Sequence, residues 1–319
     1  MSSWLPHIFY CRVAVSLVLA LSVSSCGTGI EVTEHVTDKD VHKVMDKNNH
    51  VHIQPVTLEA YADSVPAWRP GQKRFWVTDN QVRLLFDGGS SDLASHPIAG
   101  HVLVYDGYET GSLYDDRMTI NLKFVDSDNG ESLLYRTGKT LEEFGRGFSI
   151  PMMIDMDMVE HIAQQVVGKQ FYIRSSIWYD RENEQMINGR HFIQVHIDDV
   201  KPGNSVMPLR VLFTTTDTQQ RAMVWMNGYS SAIPGRDFDS LFDESDPHLN
   251  YPTISATHWQ LITQSQVIEG MTKEECRLAI GSPNRISQNP DQGGMREYWY
   301  YEGGSYLFFI DGLLSQFRI

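Results

Sequence analysis

The sequence is short of cysteine, of positive charge and of long apolar runs, and each shortage closes off a class of protein. Three cysteines, Cys11, Cys26 and Cys276, in 319 residues cannot build a disulfide framework. Lysine and arginine total 26 against 40 aspartates and glutamates, a formal net charge of −14. Neutralising phosphates takes clustered cations, so no nucleic-acid partner is expected. The apolar run "VAVSLVLALSV" at 13–23 is eleven residues long, short of the roughly 20 that a helix needs to cross a bilayer. Also missing are a G-x-S-x-G elbow, a phosphate loop and an H-E-x-x-H pair. The chain is therefore read as a binding protein and not an enzyme, with no catalytic residue, no cofactor and no metal expected.

What the apolar run does provide is the core of a secretory signal. Its n-region is weakly basic, with Arg12 the full positive charge, and it leads into Val23, Ser24, Ser25 and Cys26. A medium apolar residue and two small ones before a cysteine resemble the lipobox of bacterial lipoproteins. That resemblance implies a signal peptide over 1–25, cleavage before Cys26, and a Cys26 thiol carrying diacylglycerol with an amide-linked acyl chain such as palmitate. This lipid is the only covalent group expected. It implies attachment to the outer membrane, facing the periplasm or the cell surface, with each buried methylene worth about 0.8 kcal/mol. Residues 26–55 follow as lipid anchor and flexible tether. The stretch "TEHVTDKDVHKVMDKNNHVH" is rich in charge and poor in large apolar side chains. His42, His50 and His52 lie in it with no fixed ligand geometry.

From 56 to 252 the pattern has mostly period two, the alternation of half-buried strands. "MTINLKFV" (118–125) puts Met118, Ile120, Leu122 and Phe124 on one face, and "HFIQVHID" (191–198) does the same with Ile193, Val195 and Ile197. "QFYIRSSIW" (170–178) and "RLLF" (83–86) are further candidate strands. One segment departs: "DMDMVEHIAQQVVGK" (155–169) carries Val159, Ile162, Ala163, Val166 and Val167 at helical spacing and stops at Gly168. An internal repeat runs through the region. "LKFVDSDNGESLLYRTG" (122–138) matches "VLFTTTDTQQRAMVWMNG" (211–228) in pattern, and "KRFWV" upstream matches "KQFYI". The expectation is two small antiparallel β modules of the SH3-like class, 56–154 and, with the helix at its start, 155–252.

The C-terminal stretch begins with "VIEGMTKEECRLAIGSPNRI" (267–286). Thr272 and Glu275 form a capping box, and the short helix ends at Gly281 with Pro283 beyond it. "REYWYY", "SYLFFI" and "IDGLLSQF" then read as three strands, the last two joined by an Asp-Gly turn. Val267, Gly270, Met271, Thr272, Glu275, Leu278, Gly281 and Pro283, with Trp299, Tyr301, Phe309, Asp311, Gly312 and Leu314, resemble the SmpA/OmlA (BamE-like) family of outer-membrane lipoproteins. The resemblance covers 253–319 and implies two helices on a three-stranded antiparallel sheet, the first helix within 253–266 using Trp259 and Ile262. It also implies a link to outer-membrane assembly or maintenance. The fold class is thus mainly β, with an α+β C-terminal domain.

Candidate site residues are few. Cys276 sits in the first turn of a helix, where a thiol pKa falls, yet Glu274 and Glu275 oppose that, and it is read as a packing residue. "DSDNGE" (126–131) opens like a calcium loop but lacks its closing ligands and reads as a hairpin turn. "DFDSLFDESDPH" (237–248) reads as a solvated acidic loop. Trp225 and Trp299 are candidate partner contacts, provided that their faces are exposed. The function expected is a lipid-anchored cell-envelope scaffold that binds a protein partner. The alternatives are an envelope hydrolase with its site in the β modules and a cell-wall or glycan-binding lipoprotein, the last favoured by an exposed aromatic strip.

Overall fold

Alternating apolar residues assemble three antiparallel sheets in chain order, each on its own apolar core. The computed structural model describes residues 57–319 apart from 62, 88–95, 113–117, 229–232 and 292–293. Cys26, the signal and the tether lie outside the described residues.

The first sheet contains β1 (Arg74–Val77), β2 (Val102–Ser112), β3 (Met118–Asp126), β4 (Ser132–Arg136) and β5 (Met153–Asp155), in the order β4-β3-β2-β1-β5. Phe75, Leu103, Ile120, Leu122 and Phe124 fill its core, as the alternation predicts, although Met118 at the end of β3 is exposed. "RLLF" is not a strand. Asp79 accepts a hydrogen bond from the Gln81 N–H and starts a 3-10 turn over Asn80–Leu85, which swings Arg83 inward to a bidentate contact with Glu131 at 2.9 and 2.7 Å. Helix α1 (Met156–Val166) follows, its first turn capped by Asp155. Its Val159, Ile162 and Val166 are buried against the second sheet, whereas Val167 lies past the last turn and is exposed.

The second sheet contains β6 (Gln170–Ile173), β7 (Ile177–Tyr179), β8 (Met186–Asn188), β9 (Ile193–Pro202), β10 (Leu209–Thr215), β11 (Arg221–Met226) and β12 (Phe242–Asp243). "QFYIRSSIW" is thus two strands, broken at 174–176. The sheet order is β12-β6-β9-β10-β11-β7-β8, with the short helix α2 (Phe238–Leu241) just before β12.

The two sheets share a plan. Remove the β7–β8 hairpin and the second order is β12-β6-β9-β10-β11, the counterpart of β5-β1-β2-β3-β4. Register agrees as well: Val77 faces Met153 as Ile173 faces Phe242, and Leu103 faces Asp126 as Val195 faces Thr215. A bulge interrupts β2 after Tyr105 and β9 after Ile197, beside Phe124 and Phe213 respectively. The hairpins close alike, Gly130 N–H on Asp126 O and Gln219 N–H on Thr215 O, with Gly130 and Gln219 both at positive φ. Gly130 suits that conformation and Gln219 tolerates it at a cost.

The third sheet is larger than the sequence suggests. Helices α3 (Ala256–Thr263) and α4 (Lys273–Ile280) accompany four strands, β13 (Arg285–Asp291), β14 (Gly294–Tyr300), β15 (Tyr306–Ile310) and β16 (Leu313–Arg318), in sequence order. The extra strand is β13. Its "RISQNPD" has no apolar alternation and contains a proline, both tolerated because it is an edge strand. The capping box forms in both directions, Thr272 N–H to Glu275 Oε2 at 2.7 Å and Glu275 N–H to Thr272 Oγ1 at 3.2 Å. Asp311 and Gly312 both have positive φ, as a type I′ Asp-Gly turn requires. No described helix is long and apolar enough to cross a membrane.

Candidate functional site

Lys73, immediately before β1, is 3% exposed, and a buried ammonium must find partners. It has four: Asp63 Oδ2 and Asp155 Oδ2 at 2.6 Å each, Asp157 Oδ2 at 3.3 Å, and the Tyr61 hydroxyl, to which Nζ donates at 2.6 Å. The rings of Tyr61, Trp68 and Phe75 surround the ammonium at 5.1, 5.5 and 5.6 Å. Burial alone lowers the Lys73 pKa, but hydrogen bonds to Asp155, Asp63 and Tyr61 raise it well above its ordinary value. Burial raises the Asp155 carboxyl, with Lys73 opposing. Asp155 does double duty, since its other oxygen caps α1. One cation among three carboxylates leaves the cluster net negative.

The cluster borders a cleft of about 490 Å³. One wall comes from the first repeat, with Trp68, Phe148 and Met152, and the other from the β9–β10 turn, with Val206 and Pro208. Asp63 and Asp155 line it too. Phe148 is held edge-on by Phe144, with centroids 4.8 Å apart. Gly228 lets the walls close: a Cβ there would stand 3.1 Å from Met158 Sδ and 3.2 Å from Pro208 Cγ. The Trp68 indole N–H is buried without a hydrogen-bond partner. The cleft thus combines aromatic and thioether walls, a close glycine contact and an acidic margin.

The tryptophans expected as contacts are placed otherwise. Trp299 is fully buried, its indole N–H donated to Glu297 and its ring under the Arg277 guanidinium at 4.7 Å. The alternation of β14 points it at the helices. Trp225 is 8% exposed and packs edge-on against Tyr179. Neither offers the exposed face on which its candidacy depended. Cys276 is fully buried, and burial, with Glu275 adding to it, pushes its thiol up to about 12. Tyr298 stacks on Phe308 at 4.4 Å, which covers one face of each ring in the aromatic strip of the third sheet.

The acidic stretch 237–248 does not converge on one point. Asp246 caps a 3-10 turn, Asp237 accepts from the Asn227 amide, and Asp243 is buried in β12 with Arg174 3.6 Å away. Burial raises the Asp243 carboxyl, Arg174 opposing. The cleft residues escaped sequence reading because Tyr61, Asp63, Lys73 and Asp155 are separated along the chain and share no spacing motif. The one available signal was Lys73, a charge immediately before β1.

Compared with known proteins, the chain matches no protein-family model and no curated protein sequence.

Proposed function

We propose that the protein is a lipid-anchored cell-envelope scaffold that holds an extended segment of a protein partner in the cleft between its two repeats. The observation that carries this reading is the cleft itself, with apolar walls from Trp68, Phe148, Met152 and Val206 beside carboxylates that outnumber Lys73. Apolar walls with a few placed polar groups are the usual make-up of a binding site. The charge excess selects a segment with a lysine or arginine flanked by apolar residues. The anchor on Cys26 would confine the cleft to the membrane surface and raise its effective concentration toward envelope partners.

The module assignments belong to the same proposal. A five-strand order with the last strand beside the first, a long first connection and a 3-10 or helical turn before the last strand support two SH3-like units. Two helices with an antiparallel sheet support a BamE-like C-terminal domain, from which β13 departs. Outer-membrane assembly or maintenance is the setting that this resemblance implies.

The test is photo-crosslinking in cells from positions 148 and 206, with position 249, an exposed leucine outside the cleft, as control. Capture of one protein from 148 and 206 but not from 249 supports the reading, and equal capture from all three overturns it. Cys26→Ala should abolish acylation and signal removal by the lipoprotein peptidase; normal processing of that variant removes the anchor from the proposal.

A further inference from the structure

The hairpin between β3 and β4 gathers three groups that the cleft does not use. His101, just before β2, lies against Asp126 at the end of β3 and Asp128 in the turn, with ligand atoms of all three within 4.8 Å of one another. Asp126 is 0% exposed. Its Oδ2 stands 2.7 Å from His101 Nδ1, and its Oδ1 accepts the Asp128 backbone N–H at 2.9 Å. A carboxylate can only accept, so in the neutral imidazole the proton sits on Nδ1 and the lone pair on Nε2. Nε2 faces Asp128 Oδ2 at 3.7 Å, too far for a hydrogen bond. It is the separation of two donors on one ion: at about 2.1 Å each they stand about 3.4 Å apart at a tetrahedral angle and about 3.6 Å at a trigonal one.

The second repeat supplies an internal control. Ser127 N–H bonds Val102 O as Thr216 N–H bonds Gln194 O, which fixes the equivalence of the two turns. By that register His101 corresponds to Ile193, Asp126 to Thr215 and Asp128 to Asp217. The second turn closes in the same way without a histidine or a buried carboxylate, so the hairpin itself does not require them. Asp217 there is held by Arg190, with contacts of 2.6 and 2.9 Å. In the first repeat Asp128 pairs with no arginine among the described residues; Arg83 is engaged by Glu131 and the His96 carbonyl. The neighbour of Asp128 is instead the His101 imidazole.

We propose that His101 Nε2 and Asp128 bind a divalent transition-metal ion of the zinc class, with Asp126 as the residue that orients the ring. A buried carboxylate on the far nitrogen of a metal-bound histidine is the usual supporting arrangement. A ring nitrogen favours zinc, copper or nickel over magnesium or calcium. His101 is partly exposed and Asp128 more so, leaving the remaining coordination positions to water.

The probe is zinc chloride added to the full chain, followed by the ring nitrogen resonances of the histidines and by calorimetry. Zinc should shift His101 Nε2 in the unmutated protein, a readout that needs no variant to fold. His101→Gln should remove one binding event, Asp128→Asn should weaken that event at least tenfold, and Asp126→Asn should weaken it about tenfold. Asp217→Asn should leave it unchanged. A His101 resonance unmoved at millimolar zinc, or a His101→Gln isotherm that superimposes on the parent, overturns the proposal and assigns any uptake to groups elsewhere in the chain.

Discussion

The first and second repeats lay five strands in one order and one register, yet they handle charge differently. In the first, Lys73 is buried among Asp63, Asp155 and Asp157, and Asp126 is buried against His101. In the second, the equivalent Lys169 is exposed, and Ile193 and Thr215 stand where His101 and Asp126 would be. The apolar residues that alternate along the strands do not differ in this way. Phe124 and Phe213 occupy the same place beside the same bulge, and both are fully buried. Topology therefore follows the apolar alternation, and polar clusters are additions that one copy carries and the other does without.

Four tests, made with six substitutions, would break or sharpen that contrast. The largest effect is expected in the shared core. Phe124→Ala and Phe213→Ala should each cost about 3–5 kcal/mol in urea unfolding, since each opens a large cavity. A loss below about 1 kcal/mol at either position would end the equivalence.

Next comes the lysine pair. Lys73→Met strands three carboxylates, and removing one partner from a buried ion pair costs about 3 kcal/mol. Lys169→Met, at an exposed site, should stay within about 0.5 kcal/mol. The pH dependence separates them further. The Lys73 pKa is raised by folding, so its stabilisation is complete below the ordinary value of 10.5 and is lost as pH rises through the folded value. Unfolding curves of the parent should weaken above that point, and those of Lys73→Met should lack this component.

The third concerns the hairpin found only in the second repeat. A Cβ on Gly189 would collide with the Trp178 ring, which is fully buried. Gly189→Ala should cost about 1–3 kcal/mol by overpacking, and a thermal melt like the parent's would mean that the hairpin can swing aside.

The smallest effect is expected at Arg190→Gln. Hydrogen bonds from Arg190, with Thr218 N–H assisting and burial opposing, lower Asp217 to about 2 from 3.8. Stability from this pair is present above 3.8 and is lost as pH falls toward 2. The carboxylate is 47% exposed, so solvent screening limits the loss to under about 1 kcal/mol. Carbon NMR of the Asp217 carboxyl should show its midpoint moving up toward the ordinary value; an unmoved midpoint would assign the shift to the turn backbone.

Legibility in the sequence tracked the distance over which a feature is encoded. Helix α4 could be read nearly to the residue, because its cap, its end and its apolar face all lie within a dozen positions. The repeat was visible in "KRFWV" and "KQFYI", which became β1 and β6. Strand β13 was missed because an edge strand carries no obligatory alternation, and "RLLF" misled because Asp79 and Asn80 captured the backbone before a strand could form. The cleft was invisible for another reason, and of the His101 cluster only the Asp126 and Asp128 of "DSDNGE" drew notice, to be set aside as a hairpin turn. His101 and Asp126 meet only through the pairing of β2 with β3, a relation that no local spacing records.

The edges of the C-terminal sheet have a bearing on how this chain behaves in company. At one border β13 carries Pro290, which has no N–H to offer a neighbouring strand. At the other, residues 270–272 lie along β16: Gly270 N–H reaches Leu314 O, Leu314 N–H reaches Met271 O, both at 2.7 Å, and Thr272 bridges Leu313. An open border is a template on which identical chains stack into continuous sheets. Here Pro290 removes one donor from one side, and the other is strapped at Leu313 and Leu314. The growth of a shared ladder between crowded copies, the first step toward insoluble fibres, thus meets an obstacle at each border.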